Sequence, residues 1–153
     1  MATRSELREK IMIIIYQVEL YKNNKIEYNL DDIIKDNVDI ENEFVKDMVY
    51  GTTTYVDKID ELANKHLNNW SIDRLDSMGR AILRMSIYEM LYMDTPDLVV
   101  INEAMELAKK CADDSVRKMI NAVLDSLINE QDESSTGETE EDNTEDNNEE
   151  TTE

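Results

Sequence analysis

Three glycines and one proline are spread over 153 residues, and this scarcity constrains the fold more than any motif does. An all-β chain must turn roughly every 8–12 residues, and its turns draw on Gly and Pro for backbone geometries that other residues resist. The chain is therefore expected to be helical, and its apolar spacing agrees. Leu7, Ile11, Ile14, Ile15, Val18 and Tyr21 follow one helix stripe; the Ile-rich run could suggest a strand, but its length and spacing do not.

Helix boundaries follow from the polar residues between the stripes. Thr3-Arg4-Ser5-Glu6 reads as a capping box, in which a hydroxyl satisfies a free N–H of the first turn, and Asn23-Asn24 ends that helix. A short helix is expected around Leu30–Lys35. Asp39 or Asn42 is expected to cap a long helix carrying Val45, Met48, Val49, Val56, Ile59, Leu62, Ala63, Leu67 and Trp70. Gly51 falls inside it, at a cost of about 1 kcal/mol relative to Ala, which points to close packing against a neighbour. Leu75, Met78, Ile82, Ile87, Met90 and Leu91 mark the next helix. Thr95-Pro96 starts another through Ile101, Ala104, Leu107, Ala108 and Cys111. Asp113-Asp114-Ser115 caps the last, with Val116, Ile120, Val123, Leu124 and Leu127 on one side. The expected fold class is all-α, a compact bundle of six or seven helices.

Charge divides the chain. There are 36 Asp+Glu against 16 Lys+Arg, a formal net charge of −20. Between Gln131 and Glu153 lie eleven acidic residues, no basic one and no large apolar one. Such a segment cannot bury enough surface to offset the entropy of ordering. The expected organisation is a helical binding domain over 1–130 and a disordered acidic tail over 131–153, either a solubilising extension or a phosphate mimic that competes for basic patches. Setting the eleven aside leaves 25 acidic residues against 16 basic, a net of −9 on the domain. The longest apolar run, Ile11–Tyr16, is far shorter than the roughly 20 residues a membrane span needs. With one cysteine, Cys111, no internal disulfide can form. A cytoplasmic protein without membrane contact is expected.

Catalytic signatures are missing. Gly51, Gly79 and Gly137 are isolated, so no phosphate-cradling loop is spelled out. The lone His66 has no His or Cys nearby to share a metal, and it borders an apolar stripe as a core or boundary histidine would. Cys111 sits on a helix stripe, where packing is the simpler role. The expectation is a non-enzyme that needs no metal or cofactor and acts by binding.

Three stretches then carry a resemblance. They are Arg80-Ala81-Ile82-Leu83-Arg84 leading to Tyr88-Glu89, then Ile101-Asn102-Glu103-Ala104-Met105-Glu106-Leu107-Ala108-Lys109, and Ile120-Asn121-Ala122-Val123-Leu124-Asp125. With an opening helix that runs into Ile15-Tyr16-Gln17, they resemble the bacterial transcription antitermination factor family NusB, over about residues 3–128. The second string is specific, because no generic amphipathic helix demands those polar residues. The resemblance implies a fold of two packed three-helix subdomains. It implies a factor that binds boxA-like RNA in nascent ribosomal RNA transcripts with a small-subunit ribosomal protein, NusE, as part of an RNA polymerase antitermination complex.

Carried over by position, the resemblance implies an RNA surface of Arg4, Arg8, Lys10, Tyr16 and Lys118, and a protein-binding set of Asn102, Glu103 and Asn121. Tyr16 stands as either a base-stacking residue or a core tyrosine. Lys109, Lys110, Arg117 and Lys118 flank one loop, as either a second basic patch or ordinary solvated surface. Asn102 and Glu103 are expected near a helix start, where a capping role competes with a binding one. Ser5 and Glu6 stand where family members often carry arginine. This motivates a second reading: a protein-only adaptor or homodimer with weakened or lost RNA binding. A third reading, an accessory to RNA methylation, has no methyltransferase domain in this sequence to support it.

Overall fold

A computed structural model describes residues 2–131. Among them are seven α-helices, one 3₁₀ turn and no strand. The expected tail falls on residues that, from 132 onward, lie outside the described ones.

Polar caps start the helices where their spacing indicated. Thr3 Oγ1 accepts from the Glu6 N–H at 3.1 Å and opens α1, Arg4–Asn23. Asn29 opens α2, Leu30–Asn37, by accepting from Asp32, and Asn42 opens α3, Glu43–Thr54, by accepting from Val45. Pro96 precedes α6, Asp97–Cys111, and Asp113 Oδ1 accepts from the Val116 N–H at 3.0 Å to start α7, residues 114–131.

Three boundaries differ from the sequence reading. The long helix expected from Val45 to Trp70 is two: α3 stops at Thr54 and α4 runs Val56–His66, with Tyr55 between them at φ −100°, ψ 18°. The run Thr52-Thr53-Thr54-Tyr55-Val56 explains the break, since β-branched and aromatic side chains lose rotamer freedom against the preceding turn of a helix. Trp70 is not on the stripe. Past α4 the chain passes through Asn69 in the left-handed region, φ 57°, a conformation Asn tolerates better than most residues. Trp70 is then left 40 % exposed beneath the Arg74 guanidinium, 4.7 Å from the ring centre. The following helix also starts late, because Ile72–Arg74 form a 3₁₀ turn before Asp76 caps α5, Ser77–Tyr92.

Helix α5 is the axis of the molecule. Ten of its 16 residues are buried, so it is apolar nearly all round, as a central helix must be. It packs against α1, α3, α4 and α6, while α1, α2 and α3 pack on one another. The pairs Arg8–Glu89 and Glu19–Arg80 match low numbers in α1 with high ones in α5, which makes these two helices antiparallel. Ile11, Ile14, Ile82, Leu83, Ile87, Ile120 and Leu124 are fully buried, each contributing about 1.5–3 kcal/mol by leaving water. Helix α7 closes the bundle with Ile120, Val123, Leu124 and Leu127 and is pinned to α4 by polar contacts. His66 Nδ1 lies 2.7 Å from Ser126 Oγ and Nε2 lies 2.7 Å from Glu130 Oε2, while Lys65 reaches the same carboxylate at 2.8 Å. The histidine is therefore a boundary residue with both nitrogens occupied.

Candidate nucleic-acid and protein interface

The first turns of α1 lie against α5 and α6, and charged groups set that arrangement. Arg8 is 4 % exposed. Its Nε donates to Glu89 Oε1 at 2.9 Å and its Nη2 to Oε2 at 2.6 Å. The Thr95 hydroxyl, in the α5–α6 loop, donates to the same carboxylate at 2.8 Å. Glu103 on α6 lies 3.8 Å from Arg8 Nη1 and accepts from the Ser5 hydroxyl at 2.8 Å. The guanidinium groups of Arg4 and Arg8 sit 4.1 and 5.3 Å from the centre of the Phe44 ring, within cation–π range. One cluster thus ties α1, α3, α5 and α6 together.

This separates the expected site residues into two groups. Arg8 is buried in a bidentate pair with Glu89, and Glu103, partly exposed, lies beside it at 3.8 Å. Arg4, Lys10, Lys118, Asn102 and Asn121 are exposed. Lys118 and Asn121 are three apart on α7 and so share a face. Tyr16 is half-buried against the core. Asn102 lies five residues into α6, too deep to cap it, so the capping role considered for it is not available.

A second ion network holds the other end of α1. Glu19 accepts from Arg80 Nε at 2.9 Å and from Arg84 Nη1 at 2.6 Å, and Arg84 also makes a bidentate pair with Asp60 at 2.8 Å on each arm. Burial pushes the Glu19 carboxyl up, but the bonds and charges of Arg80 and Arg84 outweigh this and hold it below the usual carboxylate range. A carboxylate with a depressed folded-state pKa stabilises the fold above its unfolded pKa, and that contribution is lost as pH falls through the folded value. Replacing Glu19 with Gln should therefore cost most stability near pH 7, and progressively less toward pH 3. Urea midpoints of the two chains measured across that range check it; a constant gap would refute the assignment.

At the α6–α7 corner, Lys110 Nζ lies 3.7 Å from Glu9 of α1, and Arg117 pairs with Asp114 at 3.2 Å. Lys109 and Lys118 are exposed beside them. Burial raises the Cys111 thiol and nearby Glu9 adds to the effect, so thiolate chemistry is disfavoured there. Among the described residues no group of three or more His, Cys, Asp or Glu could hold a metal ion, and no helix is long and apolar enough to cross a membrane.

An apolar surface that sequence reasoning missed lies at the break between α3 and α4. Tyr55, Tyr88 and Tyr92 stack, with ring centres 4.9 Å apart for Tyr55–Tyr92 and 5.2 Å for Tyr88–Tyr92. Tyr88 is buried and donates to Asp47 at 2.7 Å, while Tyr55 and Tyr92 are 44 % and 40 % exposed. Burial, followed by the bond to Asp47, pushes the Tyr88 phenol up to about 12. Leu98 and Val99, in the first turn of α6, are also exposed. The signal was present in the sequence as Tyr55, Tyr88 and Tyr92, but an unbroken α3–α4 helix concealed how Tyr55 meets the others.

Comparison with known proteins agrees with this architecture. The model of the NusB family matches residues 5–129. The transcription antitermination protein NusB of a Nitratiruptor species is 39 % identical over 132 residues, 85 % of this chain and 94 % of the relative. That of Campylobacter jejuni subsp. jejuni serotype O:23/36 is 42 % identical over 131 residues, 84 % and 97 % respectively. Among solved structures, T. maritima NusB superposes with a TM-score of 0.70 at 27 % identity, covering 82 % of this chain and 89 % of that one. A crystal structure of the antitermination factors NusB and NusE in complex with dsRNA gives a TM-score of 0.68 at 27 % identity, covering 80 % and 93 %. On the match to the family model over 5–129 and on relatives about 40 % identical along most of its length, the chain belongs to the NusB family.

Proposed function

We propose that this chain is a transcription antitermination factor that binds boxA-like RNA together with a NusE-type small-subunit ribosomal protein. In this reading it acts in the cytoplasm, by binding and without turnover, within an RNA polymerase complex. The observation that carries the proposal is the likeness to the NusB–NusE–dsRNA complex over 80 % of the chain, which weighs against a protein-only adaptor. The exposed residues Arg4, Lys10 and Lys118 supply the RNA surface, with Tyr16 at its edge. Asn102, Asn121 and the Tyr55–Tyr92 surface are the candidate protein contacts. Arg8 and Glu103 contribute by holding α1 in place against α5 and α6.

RNA titrations with and without the NusE-type protein test this. The pair should bind a boxA-like RNA at least about tenfold more tightly than this chain alone, which corresponds to about 1.4 kcal/mol. Changing Lys10 and Lys118 to Ala should weaken binding similarly for all RNA sequences. It should also lower the slope of log K against log salt by about 0.7 for each phosphate no longer neutralised. Absence of both partner enhancement and sequence preference would overturn the proposal.

A further inference from the structure

A cleft of about 170 Å³ is bordered by α1, α3, α4 and α5, along the C-terminal half of α1. Its apolar lining comes from Ile15 and Val18 of α1 and Val56 of α4. Thr52 of α3 lines it as well and is 1 % exposed. Among the described residues, Thr52 Oγ1 is the one buried side-chain nitrogen or oxygen without a hydrogen-bond partner. An unpaired buried hydroxyl costs stability, so in the wall of a cleft it points to a partner that the chain itself does not supply.

Charge around the cleft is balanced. Glu19, Asp57 and Asp60 line it together with Lys22 and Arg84, and Arg80 is bonded to Glu19. Glu19 and Asp60 are engaged with the arginines. Arg84 spends its Nε and one hydrogen of each Nη on them, which leaves one donor on each Nη. Lys22, in the last turn of α1, and Asp57, in the first turn of α4, are exposed. Neither makes an ion pair among the described residues. The cleft therefore offers one unpaired cation and one unpaired anion, on two helices that border the same aliphatic lining.

We propose that this cleft binds a small zwitterion, a free α-amino acid with an aliphatic side chain. The ligand's carboxylate meets Lys22 and the remaining Arg84 donors, and gives the Thr52 hydroxyl its partner. Its ammonium meets Asp57, and its side chain lies on Ile15, Val18 and Val56. Size and charge exclude other classes. Sites for drug-sized molecules measure roughly 300–1,000 Å³, so a nucleotide is too large for this one. A phosphate ion or a polyamine would bring net charge into a lining that is already balanced. The site is independent of the RNA reading, since none of Arg4, Lys10 and Lys118 lines it.

Titrating the full-length chain with L-valine, isobutylamine and isovalerate tests this. The two analogues keep the aliphatic body and lack the carboxylate and the ammonium, respectively. L-Valine should shift the backbone amide resonances of Lys22, Asn23, Thr53 and Asp57 saturably, with a midpoint on the order of 1 mM or tighter for a ligand of this size. Each analogue should bind at least about tenfold more weakly. Lys22→Gln and Asp57→Asn, both at exposed positions, should each weaken L-valine binding by about tenfold or more. Thr52→Val should weaken it too, while the urea midpoint of the ligand-free chain stays the same or rises, because an unpaired buried hydroxyl is removed. No saturable shift up to about 50 mM L-valine, shifts spread evenly over the domain, or equal binding of either analogue overturns the proposal. So does an unchanged midpoint for L-valine in both Lys22→Gln and Asp57→Asn.

Discussion

Replacing Glu89 with Ala should destabilise the protein by about 3–5 kcal/mol, because it leaves the buried Arg8 guanidinium without its carboxylate. Both partners are almost fully excluded from solvent, at 5 % and 2 % side-chain exposure. Three hydrogen bonds end on Glu89, two from Arg8 and one from Thr95. Glu103, at 3.8 Å and partly turned to solvent, is too far to replace it. Since domains of this size are stable by about 5–15 kcal/mol in total, the loss should be evident as a large fall in the urea midpoint. The double variant Arg8→Met, Glu89→Leu should recover most of the stability, because a buried pair exchanged for apolar groups of similar volume is often neutral or stabilising. A double variant as unstable as Glu89→Ala would locate the defect in packing rather than charge. A loss below about 1 kcal/mol for Glu89→Ala, the range of a solvent-exposed pair, would show that water reaches it in solution. Glu89→Ala bears on function as well: with the first turns of α1 no longer tied to α5 by this pair, the exposed Arg4 and Lys10 lose their fixed position, and RNA binding should weaken even though neither residue is changed.

The limits of the sequence reading can be traced to individual residues. Several caps were legible because they are local: Thr3, Asn42 and Asp113 each accept from an N–H three residues on. The choice between Asp39 and Asn42 stayed open, however, and the caps Asn29 and Asp76 were not read. Gly51 was legible as a close approach, although its neighbour was not. The burial of Arg8 had a signal that the expected RNA role obscured. Positions 8, 11, 12 and 15 share a helix face by their spacing, and Ile11, Met12 and Ile15 are all buried there. A charge on such a stripe calls for a buried partner, and only the tertiary fold brings Glu89 across 81 residues. The break at Tyr55 was the harder case. Apolar periodicity continues through it, and only the weak helix propensity of the Thr run marked the place. The residues with the strongest family resemblance, Arg80, Arg84, Glu89 and Glu103, are for the most part engaged with other parts of the chain. A specific motif can therefore identify the family through the framework that holds the binding surface, while the exposed residues that contact a partner carry much less signal.

Gly51→Ala should destabilise the protein by about 2 kcal/mol, the magnitude expected of overpacking and opposite in sign to what helix propensity predicts. Inside an exposed helix this change gains about 1 kcal/mol, so packing must supply a larger opposing effect. An added Cβ would lie 1.9 Å from Tyr88 Cζ and 2.2 Å from its Oη, far inside van der Waals contact. The ring has little room to yield. Tyr88 is 6 % exposed, stacks with both Tyr55 and Tyr92, and donates to Asp47. Overpacking of a filled site costs typically about 1–3 kcal/mol, and losing the Asp47 bond adds about 1 kcal/mol more. Trimming the obstacle should reverse the sign: in a Tyr88→Leu background, where the ring is gone, Gly51→Ala should become neutral or stabilising. Unfolding midpoints of the four chains complete the cycle. A stabilising Gly51→Ala in the unaltered chain would mean that Tyr88 does not sit over the glycine in solution. Relief in the Leu background would show instead that the glycine lets α3 approach α5, and that the resulting Tyr88 position sets where Tyr55 and Tyr92 present their exposed faces. Binding of the NusE-type partner should then fall with Gly51→Ala if those two rings form part of its contact.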